Sequence, residues 1–269
     1  MKVFIINLEQ CTDRLEQQTL QFQKLDLTFN RLAAVTVNEF SKETYERLAF
    51  QGQRPMKQSE LACFLSHKKA WQTVLDLKEP CLILEDDAVL VKDLKEILND
   101  IKRLENTDFV NLEVHGRKKS VAKEPRYTVA TDYNLFNLYQ DRSGTGGYVL
   151  FPTGAKKLLD CAEQTHPKLA DEFIYGCYTL NAYQIEPAAL LQSDKADMYG
   201  VDVSVMHESV IGLIKNNHSH APQNSLMSKF KYKKNRIEQQ ILLGIHYLKG
   251  MFRYNRREIQ VDKQRFKLD

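Results

Sequence analysis

Three consecutive acidic residues, Glu85, Asp86 and Asp87, directly follow the apolar residues 81–84. Ligands of open α/β sheets bind beyond the carboxyl ends of the strands, and these acids are expected at such an end. Clustered carboxylates repel one another, and a hard divalent cation is their usual compensation. Such a cation can act as a Lewis acid toward a departing diphosphate. The alternative is a solvated cluster that favours the positive end of the next helix, and the triplet by itself favours that alternative.

The elements that must position these acids alternate between buried strands and helices. The apolar runs predict strands at residues 3–8, 81–84, 109–114 and 144–151. Helices are predicted at residues 12–25, 60–77, 94–104 and 153–161. The alternation predicts an α/β protein whose central sheet is mostly parallel and flanked by helices.

Composition excludes several classes of protein. With 269 residues, 43% of them hydrophobic, the chain can bury a sizeable core and is not disordered. The five cysteines form no C-x-x-C pair, which is typical of reduced thiols in a cytoplasmic protein. The start, MKVFIINLEQ, lacks the pattern of a signal peptide. No phosphate loop and no G-x-G-x-x-G motif follows the first strand, so ATPases and dinucleotide dehydrogenases lose support.

The last part of the chain is basic, and we place a boundary between a domain of residues 1–220 and an extension of residues 221–269. Between Ser225 and Asp269 there are 12 Lys and Arg residues against 4 Asp and Glu residues. The same segment carries an apolar stripe at Ile237, Ile241, Ile245, Leu248 and Phe252. A basic amphipathic helix suits an anionic membrane surface, and the alternative is a helix packed on the domain. Its aromatic residues form no recognised nucleic-acid motif, so no nucleic acid is expected as a partner.

Five blocks of sequence occur in the order found in glycosyltransferase family 25, and the chain resembles that family over roughly residues 1–200. The blocks are NLEQCTDR, ELACFLSHKKAW, LILEDDAVL, SGTGGYVLFPTGAKKLL and ADEF. The resemblance implies a GT-A-type nucleotide-diphospho-sugar transferase fold, a UDP-sugar donor, inversion at the anomeric carbon and a divalent metal, Mn²⁺ with Mg²⁺ as the alternative. Five ordered blocks are more specific than any one motif.

The resemblance also implies roles for the acids. The triplet corresponds to the family's D-x-D element, so Glu85 and Asp87 are expected near the donor ribose and the metal, with Asp87 the better ligand. Asp86 is expected either as a helper beside the donor or as a structural neighbour. Asp171 is expected as the base that removes a proton from the acceptor hydroxyl, with Glu172 as an acceptor contact, and the reverse order stays open.

Other polar residues are candidates for holding substrates. Asn7 and Arg14 are expected to contact the uridine and its diphosphate, since an arginine fork suits phosphate. His67 shares a helix face with Phe64 and Trp71, so it is either a core residue or a donor contact. Gln192 and Asp194 are weaker candidates for closing the donor pocket. The segment Ser143, Gly144, Thr145, Gly146 and Gly147 is expected to bind the acceptor, and a tight turn into a strand predicts the same glycines.

Together these features predict an inverting transferase that moves a hexose, galactose in preference to glucose, from UDP to a hydroxyl of lipopolysaccharide or lipooligosaccharide. We expect it in the cytoplasm, peripheral on the inner face of the inner membrane through its basic tail. Two alternatives remain: a non-catalytic carbohydrate-binding protein on the same fold, and a metal-dependent hydrolase of nucleotide-sugars.

Overall fold

The computed structural model describes residues 1–140, 144–203, 226–250 and 253–268. Its strands are β1 Lys2–Asn7, β2 Asn30–Ala33, β3 Cys81–Glu85, β4 Ala88–Leu90, β5 Phe109–Asn111, β6 Glu113–Val114, β7 Lys119–Ala122, β8 Tyr127–Val129, β9 Tyr133–Gln140, β10 Gly147–Leu150, β11 Ala182–Glu186, β12 Leu190–Gln192 and β13 Tyr254–Arg257. Its helices are α1 Thr12–Lys24, α2 Lys42–Ala49, α3 Gln58–Leu77, α4 Leu94–Ile101, α5 Pro152–Gln164, α6 Ala170–Gly176, α7 Ala196–Tyr199 and α8 Leu226–Gly250.

The large sheet has the strand order β13-β7-β9-β11-β5-β10-β3-β1-β2, with β8 paired to β9. The pairs β2–β1, β1–β3 and β5–β11 are parallel, whereas β10 runs antiparallel to both β3 and β5. The α/β class is therefore confirmed, but the sheet is mixed rather than mostly parallel. Helical crossovers connect β1, β2 and β3, and the short connections from β7 to β9 permit only antiparallel neighbours.

A second, small sheet orders β4, β12 and β6 next to the end of β3. Gln192 at the end of β12 is paired in register with Ala88, and Leu190 is paired with Glu113. This sheet brings together three segments that are far apart in the sequence. It therefore places Gln192 and Glu113 beside the acidic triplet.

Helix α3 is the main helix packed against the large sheet. Its Trp71 is fully buried, and Phe64 and Phe173 of α6 contact it through aromatic faces and edges. Burying aromatic side chains of this size is a large share of core stability. The packing fixes the face of α3 that also carries Cys63 and His67.

Residues beyond 225 return to the body of the protein. Asn235 of α8 donates to the carbonyl oxygens of Gln51 and Gly52, and the ring of His246 stacks on Tyr178 at 3.7 Å. Strand β13 joins the large sheet beside β7, so residues 254–257 are not part of a helical extension. In the described ranges no helix is both long and apolar enough to cross a membrane.

Candidate active site

The acidic triplet lies at the carboxyl end of β3, beside the carboxyl end of β1. The two strands are parallel, with Ile6 paired to Glu85, so Asn7 and Asp86 follow at the same edge of the sheet. A cleft of about 290 Å³ opens at this edge. Its lining includes Cys11, Arg14, Cys63, Ser66, His67, Glu85, Asp86 and Asp87, together with residues 34–38. The position is the one expected for a ligand site in an open α/β sheet.

Asp86 is the structural member of the triplet. Asn7 Nδ2 donates to Asp86 Oδ2 at 2.8 Å, and Arg14 NH1 donates to Asp86 Oδ1 at 2.8 Å. Gln18 donates to the backbone oxygens of Asp86 and Ala88, which fixes the turn between β3 and β4. Asn7 and Arg14 thus have an internal partner, and their predicted contacts with uridine and diphosphate stay predictions.

Asp87 has no such partners among the described residues. Its side chain is buried, and its Oδ1 atom accepts no hydrogen bond there. Burial, together with the nearby carboxylates of Glu85 and Asp86, raises the pKa of Asp87 well above its usual range. A buried carboxylate oxygen without a donor, beside two further acids, fits a site for a hard divalent cation. Asp87 and Glu85 are the residues that would hold that ion.

Glu85 is held from three sides. Thr145 Oγ1 donates to Oε1 at 2.8 Å, and Gln192 Nε2 donates to Oε2 at 3.2 Å. His67 Nε2 lies 3.3 Å from Oε1. Burial would raise the pKa of Glu85, but the hydrogen bonds from His67 and Thr145 outweigh it, so the pKa is lowered and the carboxylate is ionised.

His67 is fully buried and is oriented by a hydrogen-bond chain. Its Nδ1 atom lies 2.9 Å from the hydroxyl oxygen of Tyr148, which accepts a hydrogen bond from Trp71 Nε1 at 3.1 Å. His67 is therefore a hydrogen-bonded core residue whose second nitrogen reaches the cleft. The two interpretations of His67 from the sequence, a core residue and a contact of the donor, are therefore compatible.

The glycine segment packs against the site from the other side, and Ser143 lies outside the described residues. A Cβ atom on Gly144 would lie 2.4 Å from Glu113 Oε2, and the φ angle of Gly144 is +94°. A Cβ atom on Gly147 would lie 2.2 Å from a methyl carbon of Leu190. The glycines are thus required by packing and backbone conformation, and acceptor binding by Gly144, Gly146 and Gly147 stays a prediction.

Asp171 and Glu172 begin α6, but their side chains have different surroundings. Cys63 lines the cleft, and burial raises the pKa of its thiol. The nearby charges of Glu85 and Asp171 raise it further. Glu172 instead accepts a hydrogen bond from Gln53 Nε2 at 3.0 Å. It lines a separate pocket of about 100 Å³ that Asn235 and Glu238 of α8 also border. Which of the two acids is the base stays a prediction.

The sequence prediction missed Glu113. This fully buried residue accepts a hydrogen bond from the Gly146 amide at 2.7 Å and lies 3.2 Å from His115 Nδ1. Its backbone oxygen accepts from Lys119 Nζ at 2.8 Å. Burial lowers the pKa of Lys119 to about 7, and the Glu113 charge only partly opposes the effect. The signal was present in the sequence, since Glu113 follows a buried strand just as Glu85 does.

Comparisons with known proteins place the chain in a family. The family model described as "Glycosyltransferase family 25 (LPS biosynthesis protein)" matches residues 1–174. Human procollagen galactosyltransferase 2 is 28% identical over 192 residues, which cover 66% of this chain and 30% of that protein. A glycosyltransferase 25 family member of Anopheles gambiae is 30% identical over 188 residues, covering 64% of this chain and 31% of that protein. The chain thus matches about a third of the length of these relatives.

Solved structures are similar only at a distance. A variant of Drosophila β-1,4-galactosyltransferase 7, in complex with manganese, UDP-Gal and xylobiose, is 11% identical and covers 83% of each chain with a TM-score of 0.39. A glycosyltransferase involved in the glycosylation of the major capsid of PBCV-1 is 10% identical, and the match covers 71% of this chain and 94% of that one with a TM-score of 0.36. Scores this low carry no argument about the site. The family model, which matches well over half of the chain, shows that the protein belongs to glycosyltransferase family 25.

Proposed function

We propose that the protein is a metal-dependent, inverting hexosyltransferase that uses a UDP-sugar donor. The observation that carries this proposal is the buried Oδ1 atom of Asp87, which has no donor among the described residues and lies beside the ionised Glu85. A divalent cation, Mn²⁺ or Mg²⁺, would be held there by Asp87 and Glu85. When bound, it would supply charge neutralisation for the diphosphate.

Other residues of the chain position the two acids and accept the proton of the acceptor. Gln192 and Thr145 hold Glu85 in place, and the pair of Arg14 and Asp86 holds the turn that carries Asp87. Asp171 accepts the proton of the acceptor hydroxyl while the oxygen of that hydroxyl bonds to the anomeric carbon. The bond between that carbon and the diphosphate oxygen breaks in the same step, so UDP leaves and the configuration inverts.

The substrate identities are proposed from the relatives and the family. Galactose is preferred over glucose because several relatives are named procollagen galactosyltransferases, and a β-galactosyl linkage would follow from inversion. A lipopolysaccharide or lipooligosaccharide acceptor is supported by the description of the family model. Discrimination between the two hexoses depends on hydrogen bonds to one hydroxyl group.

Helix α8 supports a place for the enzyme on the cytoplasmic face of the inner membrane. Its stripe of Ile237, Ile241, Ile245 and Leu248 is between 43% and 67% exposed. In the part of the chain that the structure describes, α8 contacts the domain through Lys231, Asn235 and the ring of His246, none of which belongs to the stripe. A helix that is docked by polar groups and shows an apolar stripe with lysines nearby is suited to an anionic lipid surface.

The test is calorimetric titration of the protein with UDP, with and without Mn²⁺. We expect binding that requires the ion and that is lost in Asp87→Asn, while the matched Asp160→Asn variant, an acid on α5 paired with Lys156, binds as the wild type does. Metal-independent binding, or full binding by Asp87→Asn, would refute the proposed donor site. Hydrolysis of UDP-galactose at the same rate with and without acceptor would favour the nucleotide-sugar hydrolase.

A further inference from the structure

Cys63 and His67 lie one turn apart on α3 and face Glu85 across the cleft. One ligand atom from each of the three residues, the thiol sulfur, an imidazole nitrogen and a carboxylate oxygen, lies within 4.8 Å of the other two. Residues four apart on a helix share a face, so α3 presents the first two ligands as a pair. The cluster differs from the pair of Asp87 and Glu85 because it contains sulfur and nitrogen.

The distances are close to those of a tetrahedral zinc centre. His67 Nε2 and Glu85 Oε1 are 3.3 Å apart. Zinc bonds of about 2.0–2.1 Å to nitrogen and oxygen, at tetrahedral angles, separate two such ligands by roughly 3.3 Å. Two of the three ligands thus already have the required spacing. The sulfur lies within 4.8 Å of both, so it needs a shift of at most roughly 1.5 Å, which a change in the Cys63 side-chain torsion can provide.

The surroundings of His67 suit a metal ligand. A ligating imidazole usually donates its other N–H group to a fixed acceptor, which sets the orientation of the ring. Tyr148 offers its hydroxyl oxygen 2.9 Å from His67 Nδ1, and Trp71 holds that oxygen in place. An ion bound there would take the lone pair of Nε2, with the imidazole proton on Nδ1 toward Tyr148, and would so replace the hydrogen bond between Nε2 and Glu85.

The geometry points to a second cation position, formed by Cys63, His67 and Glu85, that takes a thiophilic ion such as Zn²⁺. Thiolate and imidazole ligands select such ions over Mg²⁺ and Mn²⁺. Binding replaces the S–H bond of Cys63 with a sulfur–metal bond and releases one proton to solvent. Glu85 belongs to both positions, so an ion on the α3 side draws this carboxylate away from Asp87. Inhibition of donor binding by zinc follows, and this consequence alone rests on the proposed function.

The first experiment uses Co²⁺ as a spectroscopic substitute for zinc. We expect one equivalent of Co²⁺ to give thiolate-to-cobalt charge-transfer absorption in the wild type and in Asp87→Asn. The absorption should be lost in Cys63→Ser and kept in Cys11→Ser, the matched control for a second thiol of the cleft. Absence of the absorption in the wild type, or its persistence in Cys63→Ser, would overturn the inference.

X-ray absorption of the zinc-loaded wild type provides a test that needs no variant. The expected ion has one sulfur neighbour at about 2.3 Å together with nitrogen and oxygen neighbours. A zinc ion surrounded by oxygen and nitrogen alone would overturn the inference.

A competition experiment then separates this site from the donor site. In UDP titrations with Mn²⁺, one equivalent of Zn²⁺ should weaken binding about tenfold or more in the wild type and not in Cys63→Ser. Equal weakening in both proteins would place the zinc at Asp87 and overturn the second position. If UDP does not bind under any condition, the proposed function fails, whereas the cobalt absorption still decides the metal site.

Discussion

Arg14 and Asp86 form a buried ion pair, with Arg14 NH1 2.8 Å from Asp86 Oδ1 and side chains only 10% and 12% exposed. The pair joins α1 to the turn after β3, and Asn7 completes it from the end of β1. The three adjacent acids therefore have different tasks. Asp86 holds the turn, Glu85 is fixed by His67, Thr145 and Gln192, and Asp87 is left with a carboxylate oxygen that no described residue satisfies.

Replacing Asp86 or Asp87 by Asn should affect the free energy of unfolding differently. Asp86→Asn removes one charge of a buried ion pair, and the free energy of unfolding should fall by about 3–5 kcal/mol. Asp87→Asn removes a carboxylate that burial and its neighbours already disfavour, so without metal this variant should be at least as stable as the wild type. Urea denaturation in the presence of a chelator measures both. An equal fall in the free energy of unfolding of the two variants would contradict the assignment of Asp86 to structure and of Asp87 to metal binding.

Asp171 and Glu172 should differ in their effect on catalysis. Asp171→Asn should lower the rate of transfer by about 10²–10⁴-fold with UDP binding unchanged, because only the proton acceptor is removed. Glu172→Gln keeps a side chain that can still form a hydrogen bond with Gln53, so its rate of transfer should fall much less. Transfer from labelled UDP-galactose to deacylated lipooligosaccharide measures both rates. The reverse ranking would make Glu172 the base.

Lys119 should make stability depend on pH. Its pKa is about 7 in the folded protein, lowered by burial, and 10.5 in a solvated chain. Between these values the unfolded state binds more protons than the folded state, so the free energy of unfolding rises with pH. The contribution is unfavourable below pH 7 and disappears toward pH 10.5.

The measurement compares the wild type with Lys119→Met, which cannot titrate at this position. Thermal unfolding at pH 6.5 and 8.5 should show that the wild type gains stability relative to the variant at the higher pH, in the direction set by the lowered pKa. A difference between the two proteins that stays constant with pH would mean that Lys119 keeps its usual pKa.

The exposed stripe of α8 should control binding to anionic lipid. Ile241→Asp and Ile245→Asp should each weaken binding to phosphatidylglycerol vesicles about tenfold or more, since a buried isoleucine contributes about 1.5–3 kcal/mol. Leu20→Asp on α1, where the side chain is 55% exposed, is the matched control and should bind as the wild type does. Unchanged binding by both α8 variants would mean that this stripe faces something other than lipid.

Sequence patterns located the site, but they did not reveal its partners. The apolar run before Glu85 predicted a strand end, and helical spacing placed His67 on the same face as Trp71; both expectations are confirmed. The contact between Asp86 and Arg14 spans 72 residues, and that between Glu85 and Gln192 spans 107. Such contacts depend on how α1 and the small sheet pack, which local periodicity does not encode.

The strand at residues 254–257, within the predicted helical extension, was missed for a related reason. Residues 254–257 read as a basic segment, and only their pairing with β7 makes them a strand of the large sheet. Arg257 reaches Glu186 and packs over the ring of Phe136, so its charge is used inside the fold. A run of charges in a sequence does not distinguish a solvated face from such a contact.

Strand β13 covers backbone groups of β7 that would otherwise lie open along the border of the large sheet. An open border is a template for pairing with a second chain, and charged side chains on the outermost strand discourage such pairing. Arg256 supplies such a charge, because its side chain is exposed and β13 is the outermost of the described strands on its side of the sheet. Residues 254–257 therefore protect the protein against aggregation, and a chain shortened before them should self-associate even with its cleft intact.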